Sequence, residues 1–121
     1  AIISYGAMVH KCLEAAQILA TDGVQARVID LRTLQPLDDA TIVAAARECG
    51  KVLIVHEDTR TGGLAGELTS RINEAAFEWL DGPVLRVTAA DTPVPYNKDL
   101  ERAFLPQVED IVNTARRLAA Y

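Results

Sequence analysis

The chain has 121 residues, half of them hydrophobic and 24% charged, which suits one globular domain whose core needs no disulfide staple. Its net charge is −5 and its twelve basic residues are scattered, which argues against a nucleic-acid-binding face and suits a basic protein partner or simple solubility. No apolar run approaches the length of a membrane span, and no membrane contact is expected.

The order of elements is strand then helix, repeated. Ile2 to Tyr5 is a short apolar strand broken by Gly6. A chain that opens on such a strand reads as a piece of a longer polypeptide. A helix follows from about Ala7 to Thr21, with Met8, Cys12, Ala15, Ala16 and Leu19 as its buried stripe and Asp22-Gly23 as its stop. Ala26 to Leu31 is the second strand. Asp38 then caps a helix that runs to Cys49 and stops at Gly50, and Leu37 and Ile42 have the spacing of a hydrophobic staple. Cys12 and Cys49 read as small buried hydrophobes, not as a disulfide or metal pair, which fits a reducing compartment.

Lys51 to Glu57 is the clearest strand, because Val52-Leu53-Ile54-Val55 implies burial on both faces. A third helix is predicted over Ala65 to Leu80, with Leu68, Ile72, Ala75, Ala76 and Trp79 along one side. Val84 to Val87 is the fourth strand. Asp91-Thr92-Pro93-Val94-Pro95-Tyr96 is an extended surface strap, followed by one or two turns over Leu100 to Phe104 and a last helix over Val108 to Ala120. Arg116 and Arg117 read as solvated. The pattern predicts an α/β fold of three layers, α/β/α, around a mainly parallel sheet of four strands in the order 2-1-3-4, spanning residues 1–121 as one domain.

Ligands of such sheets gather beyond the carboxyl ends of the strands, where Gly6, Arg32, His56, Glu57 and Asp58 should lie. His56 has the chemistry of a general base or phosphate carrier, but no serine or cysteine is placed beside it, and a hydrogen-bonded loop anchor is the plainer reading. Neighbouring strand residues point to opposite faces, so His56, Glu57 and Asp58 converge poorly on a metal. Arg60-Thr61-Gly62-Gly63 before a helix has the look of a phosphate cradle but not the spacing of a dinucleotide fingerprint or a P-loop. A tight turn bringing backbone close to another chain is favoured.

Taken in order, several strings are familiar: Ile3-Ser4-Tyr5-Gly6-Ala7-Met8-Val9, Val28 through Asp38, His56-Glu57 with Arg60-Thr61-Gly62-Gly63, Asp91 through Tyr96, and Leu105-Pro106 before the final helix. Together they resemble the transketolase C-terminal domain of the E1 β subunit of 2-oxo acid dehydrogenases, of branched-chain or pyruvate type. The resemblance implies a parent enzyme that decarboxylates a 2-oxo acid on thiamine diphosphate and Mg and acylates the lipoyl group of E2. It also implies that this domain binds no cofactor and supplies no catalytic residue. Its partners would be an E1 α subunit, a second β subunit and the E2 subunit-binding domain, in a bacterial cytoplasm or mitochondrial matrix.

Interface residues implied on this reading are His56, Glu57, Arg60, Thr61, Gly62, Gly63, Asp91 and Tyr121, the last through its carboxylate. Relatives carry a further strand beside the second one here, so an exposed edge there invites self-association. Two other readings stay open: a free-standing flavodoxin-like signalling or phosphocarrier domain, and the C-terminal domain of a transketolase-like sugar enzyme.

Overall fold

Val52-Leu53-Ile54-Val55 is sealed on both faces, and the sheet is built around it. The computed structural model describes all of residues 1–121. Strands β1 (Ile2–Ser4), β2 (Val28–Asp30), β3 (Leu53–Thr59) and β4 (Leu85–Ala89) are all parallel and lie in the order β2-β1-β3-β4, as the sequence pattern predicts. The register sets Ile3 beside Ile29 and Ile54, and Ile54 beside Arg86.

Alternation along β3 divides the core. Leu53 and Val55 join Ile2 and Val87 beneath α1 (Met8–Thr21) and α5 (Val108–Ala119). Val52 and Ile54 join Ile3 beneath α2 (Asp39–Cys49) and α3 (Leu64–Ala76). Each helix turns its apolar stripe to the sheet: Met8, Cys12, Ala15 and Leu19 from α1, and Ala65, Leu68, Ile72 and Ala76 from α3. Leu37 and Ile42 meet in the second of these clusters, as the staple requires. The short α4 (Lys98–Phe104) bridges the strap to α5.

Asp38 caps α2 as expected: the Thr41 backbone N–H donates to Oδ1 at 3.0 Å and the Thr41 hydroxyl to Oδ2 at 2.6 Å. These bonds hold its carboxyl below the usual range, so the cap is at full strength above pH ~4 and fades as pH falls through the folded-state value. Asp38→Ala is expected to lower the melting midpoint by a few degrees at neutral pH, and the deficit should shrink in acid.

Four details differ from expectation. Helix α3 ends at Ala76 rather than Leu80, and a 3-10 turn covers Phe77–Trp79. Trp79 therefore leaves the buried stripe and lies at the surface, with the Arg47 guanidinium 4.2 Å from its ring centre. Strands β3 and β4 are displaced towards their carboxyl ends, each finishing two residues later than predicted, with an irregularity in their pairing between Val55 and Thr59. Arg116 is not merely solvated, because its guanidinium pairs with Asp22 at 2.7 Å and ties α5 to the end of α1.

Candidate functional site

The carboxyl end of β3, the loop to α3 and the start of the proline strap form one stitched cluster. His56 follows the parity of Ile54, so its ring turns towards α3 and is fully buried, whereas Glu57 and Asp58 are exposed. The Ala65 backbone N–H donates to His56 Nε2 at 3.0 Å. Because Gly63 at the N-cap has no side chain, the imidazole does the capping of α3. Nε2 is thus the acceptor, the proton of the neutral ring sits on Nδ1, and Nδ1 is buried without a protein partner. Burial holds the imidazole below its usual pKa, against an opposing pull from Asp58.

Gly63 packs directly on this ring. A Cβ there would stand 2.3 Å from the Thr59 carbonyl oxygen and 2.8 Å from His56 Cε1. Within the chain, the close neighbours of Gly63 are its own loop and ring, while Gly62 turns the chain at φ +78° with open space around it.

The loop is then fastened to the strap. The Thr61 backbone N–H donates to Asp91 Oδ1 at 2.9 Å and its hydroxyl donates to Oδ2 at 2.7 Å. Those two bonds hold the Asp91 carboxyl below the usual carboxylate range. The Thr59 hydroxyl donates to the Thr61 carbonyl at 2.8 Å, and Arg86 Nη1 donates to the Arg60 carbonyl at 3.3 Å. Arg86 went unnoticed in the sequence. A lone arginine in the apolar run Val84-Leu85-Arg86-Val87 was the available signal, since an edge strand can spend such a side chain on a loop carbonyl.

The structure therefore brings together His56, Arg60, Thr61, Gly62, Gly63 and Asp91. Glu57 borders the cluster on the exposed side of β3. Tyr121 does not join them: it lies against Gly82 at the amino-terminal end of the sheet, because α5 runs back down the molecule. Arg32, at the end of β2, pairs with Asp30.

Chemically the cluster is a fastening. Two of the α3 amides that would cradle a phosphate are spent, Ala65 on His56 and Gly66 on the Gly63 carbonyl at 3.1 Å. The Ser4 hydroxyl donates to the Val55 carbonyl at 2.8 Å, and burial pushes the Cys12 thiol up to about 11, so neither is an activated nucleophile. A phosphoryl donor has no access to the sealed His56 ring. Beside the strap, a cleft of about 490 Å³ opens between β4 and α5, bordered by Arg60, Arg86, Thr88, Asp91, Asn113 and Thr114.

Residues 1–111 match the family described as the transketolase, C-terminal domain. The chain is 42% identical over 120 residues to the pyruvate dehydrogenase E1 component subunit beta of Bacillus subtilis, covering 99% of this chain and 37% of that protein. It is 40% identical over 117 residues to the mitochondrial pyruvate dehydrogenase E1 component subunit beta of Dictyostelium discoideum, covering 97% and 33%. It is likewise 40% identical over 121 residues to the 2-oxoisovalerate dehydrogenase subunit beta of Bacillus subtilis, covering 99% and 37%. The chain thus spans about a third of the length of the curated relatives it matches. Among solved structures, a split-gene transketolase described as an inactive beta4 tetramer superposes with a TM-score of 0.76 at 31% identity, covering 97% of this chain and 37% of that one. With the family matched over residues 1–111 and the sheet order that the sequence pattern demands, this chain belongs to the transketolase C-terminal domain family.

Proposed function

We propose that this chain is the C-terminal domain of the β subunit of a thiamine diphosphate-dependent 2-oxo acid dehydrogenase E1, and that its own work is assembly and docking. The parent would oxidatively decarboxylate a 2-oxo acid and pass the acyl group to the lipoyl arm of E2, in a bacterial cytoplasm or a mitochondrial matrix. The observation that carries this reading is the strap. Val94, Tyr96 and Leu100 are 64%, 104% and 60% exposed on a segment that Thr61, two prolines and Asn97 hold in place. A rigid apolar ridge beside a cluster whose polar groups are internally spent suits a surface for an α subunit or a second β subunit.

Thiamine diphosphate and Mg are assigned to the rest of the parent. The residues here do not fit them: the Ala65 and Gly66 amides at the start of α3 are taken, and the Asp91 oxygens are bound by Thr61. Relatives from pyruvate and 2-oxoisovalerate enzymes match at 42% and 40%, which supports placing substrate choice outside this domain. The transketolase-like sugar enzyme is the second reading, favoured by the fold match at 31% identity. The higher identity to E1 β subunits decides between them.

Docking of E2 is tested by titrating a fluorescent E2 subunit-binding domain into the E1 assembly that carries this chain. The domain has an excess of acid, −5 overall, with Glu57 and Tyr121 exposed as candidate contacts. Binding is expected, and its Kd should rise at least ~10-fold between about 50 mM and about 0.5 M salt, because screening shortens the reach of surface charges. Absent or salt-independent binding overturns the docking role.

A further inference from the structure

We propose that His56 is a proton-operated latch: its neutral ring holds the start of α3 and, through the loop, the proline strap, and protonation of the ring lets go of both. The inference stands on geometry and does not depend on the identity of the parent enzyme.

The latch consists of one acceptor and one donor. Neutral His56 offers the Nε2 lone pair to the Ala65 N–H. Once a second proton occupies Nε2, both ring nitrogens are donors and Nε2 confronts another donor. It also confronts the amino end of α3, where the helix dipole already places positive charge. No side-chain cap on α3 can take over, since the N-cap is Gly63, and Glu67 in the first turn is engaged by Arg71 at 2.7 Å.

The charged groups facing the ring do not rescue the cation in place. From β3, Asp58 favours the charged form, but it is exposed and one oxygen receives the Thr59 N–H at 2.7 Å. From β4, Arg86 opposes it. From the end of β1, Tyr5 supplies a neutral aromatic ring whose centre is 6.0 Å away. From the start of α3, the group that meets the ring is the Ala65 backbone N–H. The cation is therefore driven towards water, and the loop backbone at Gly63, which packs directly on the ring and follows the open turn at Gly62, is the wall that yields.

Movement of that turn reaches the strap within two residues. Thr61 bonds both oxygens of the Asp91 carboxylate, and Thr59 fastens Thr61. The sign follows from linkage. A histidine whose folded pKa lies below the free value of about 6.5 weakens the closed form as pH falls from that value to the folded-state one. The Asp91 carboxyl, held low, stays charged through this window and gives way only below pH ~4.

The test is an NMR titration of the 121-residue chain from pH 8 to pH 5, following the His56 ring nitrogens and the backbone amides. The expected result is a His56 ring that starts as the Nδ1–H form and titrates below the free-histidine value of about 6.5. The Ala65, Thr61 and Tyr96 amides should shift with the His56 midpoint. Their protection from hydrogen exchange, corrected for intrinsic rates, should fall by up to ~10-fold per pH unit within the window. His56→Gln, which keeps an acceptor but cannot titrate, should abolish the pH dependence. A His56 midpoint at or above about 6.5, or amides that ignore it, overturns the latch even if the variant fails to fold.

Discussion

Gly63→Ala is expected to cost about 3 kcal/mol of folding stability, read from urea denaturation. The methyl group would enter a space bounded by the Thr59 carbonyl oxygen at 2.3 Å and by His56 Cε1 and Nε2 at 2.8 and 3.2 Å. Neither neighbour is the loose end of a side chain. The oxygen is backbone in the last residue of β3, paired with Ala89, and the ring is sealed beneath Tyr5, the loop and α3. Overpacking of this kind costs ~1–3 kcal/mol. Retreat of the ring would pull Nε2 from the Ala65 N–H and strand a buried donor, for a further ~1–3 kcal/mol.

Gly62 supplies the comparison. Its φ is +78°, so alanine there meets left-handed strain of ~1–2 kcal/mol, but nothing lies within 4 Å of the added carbon. The two glycines thus sit side by side for different reasons, one torsional and one steric. A smaller loss at position 63 than at position 62 would show that the crowding around His56 does not govern this loop.

What the sequence made legible follows from periodicity. The apolar run at Val52–Val55 announced a central strand, and the strand–helix alternation with right-handed crossovers left few sheet orders to choose from. Asp38 and Gly50 marked the ends of α2 because capping chemistry is local. Trp79 was misplaced because its spacing fits a helical stripe, while the chain leaves the α-helix at Ala76 and the indole finds Arg47 instead. The site was legible as residues but not as bonds. Thr61 and Asp91 are thirty positions apart, and the His56 partner is a backbone N–H that carries no residue signature. Tyr121 entered through family resemblance, and the direction of α5 sends it to the far end of the sheet.

If the chain is the C-terminal domain of an E1 β subunit, as proposed, Tyr96→Ala should leave its fold intact and weaken assembly of the full β subunit with the α subunit by about 2 kcal/mol or more, a rise in Kd of roughly 30-fold. The first half rests on exposure. Tyr96 is uncovered on the strap, so truncating it removes no core contact, and surface changes of this kind stay within ~0.5 kcal/mol. The second half rests on preorganisation. Pro93 and Pro95 fix φ on the approach to the ring, the Thr61 bonds anchor Asp91 behind it, and Asn97 caps α4 ahead of it by accepting from the Asp99 and Leu100 N–H groups at 2.9 and 3.2 Å. An aromatic ring held this way loses little freedom on being covered, so most of the area a partner buries on it appears as affinity. Sedimentation of the α and β subunits across a concentration series, beside a thermal melt of the chain, separates the two halves. A lowered melt with unchanged assembly would make Tyr96 a brace of its own domain and take the strap out of the interface.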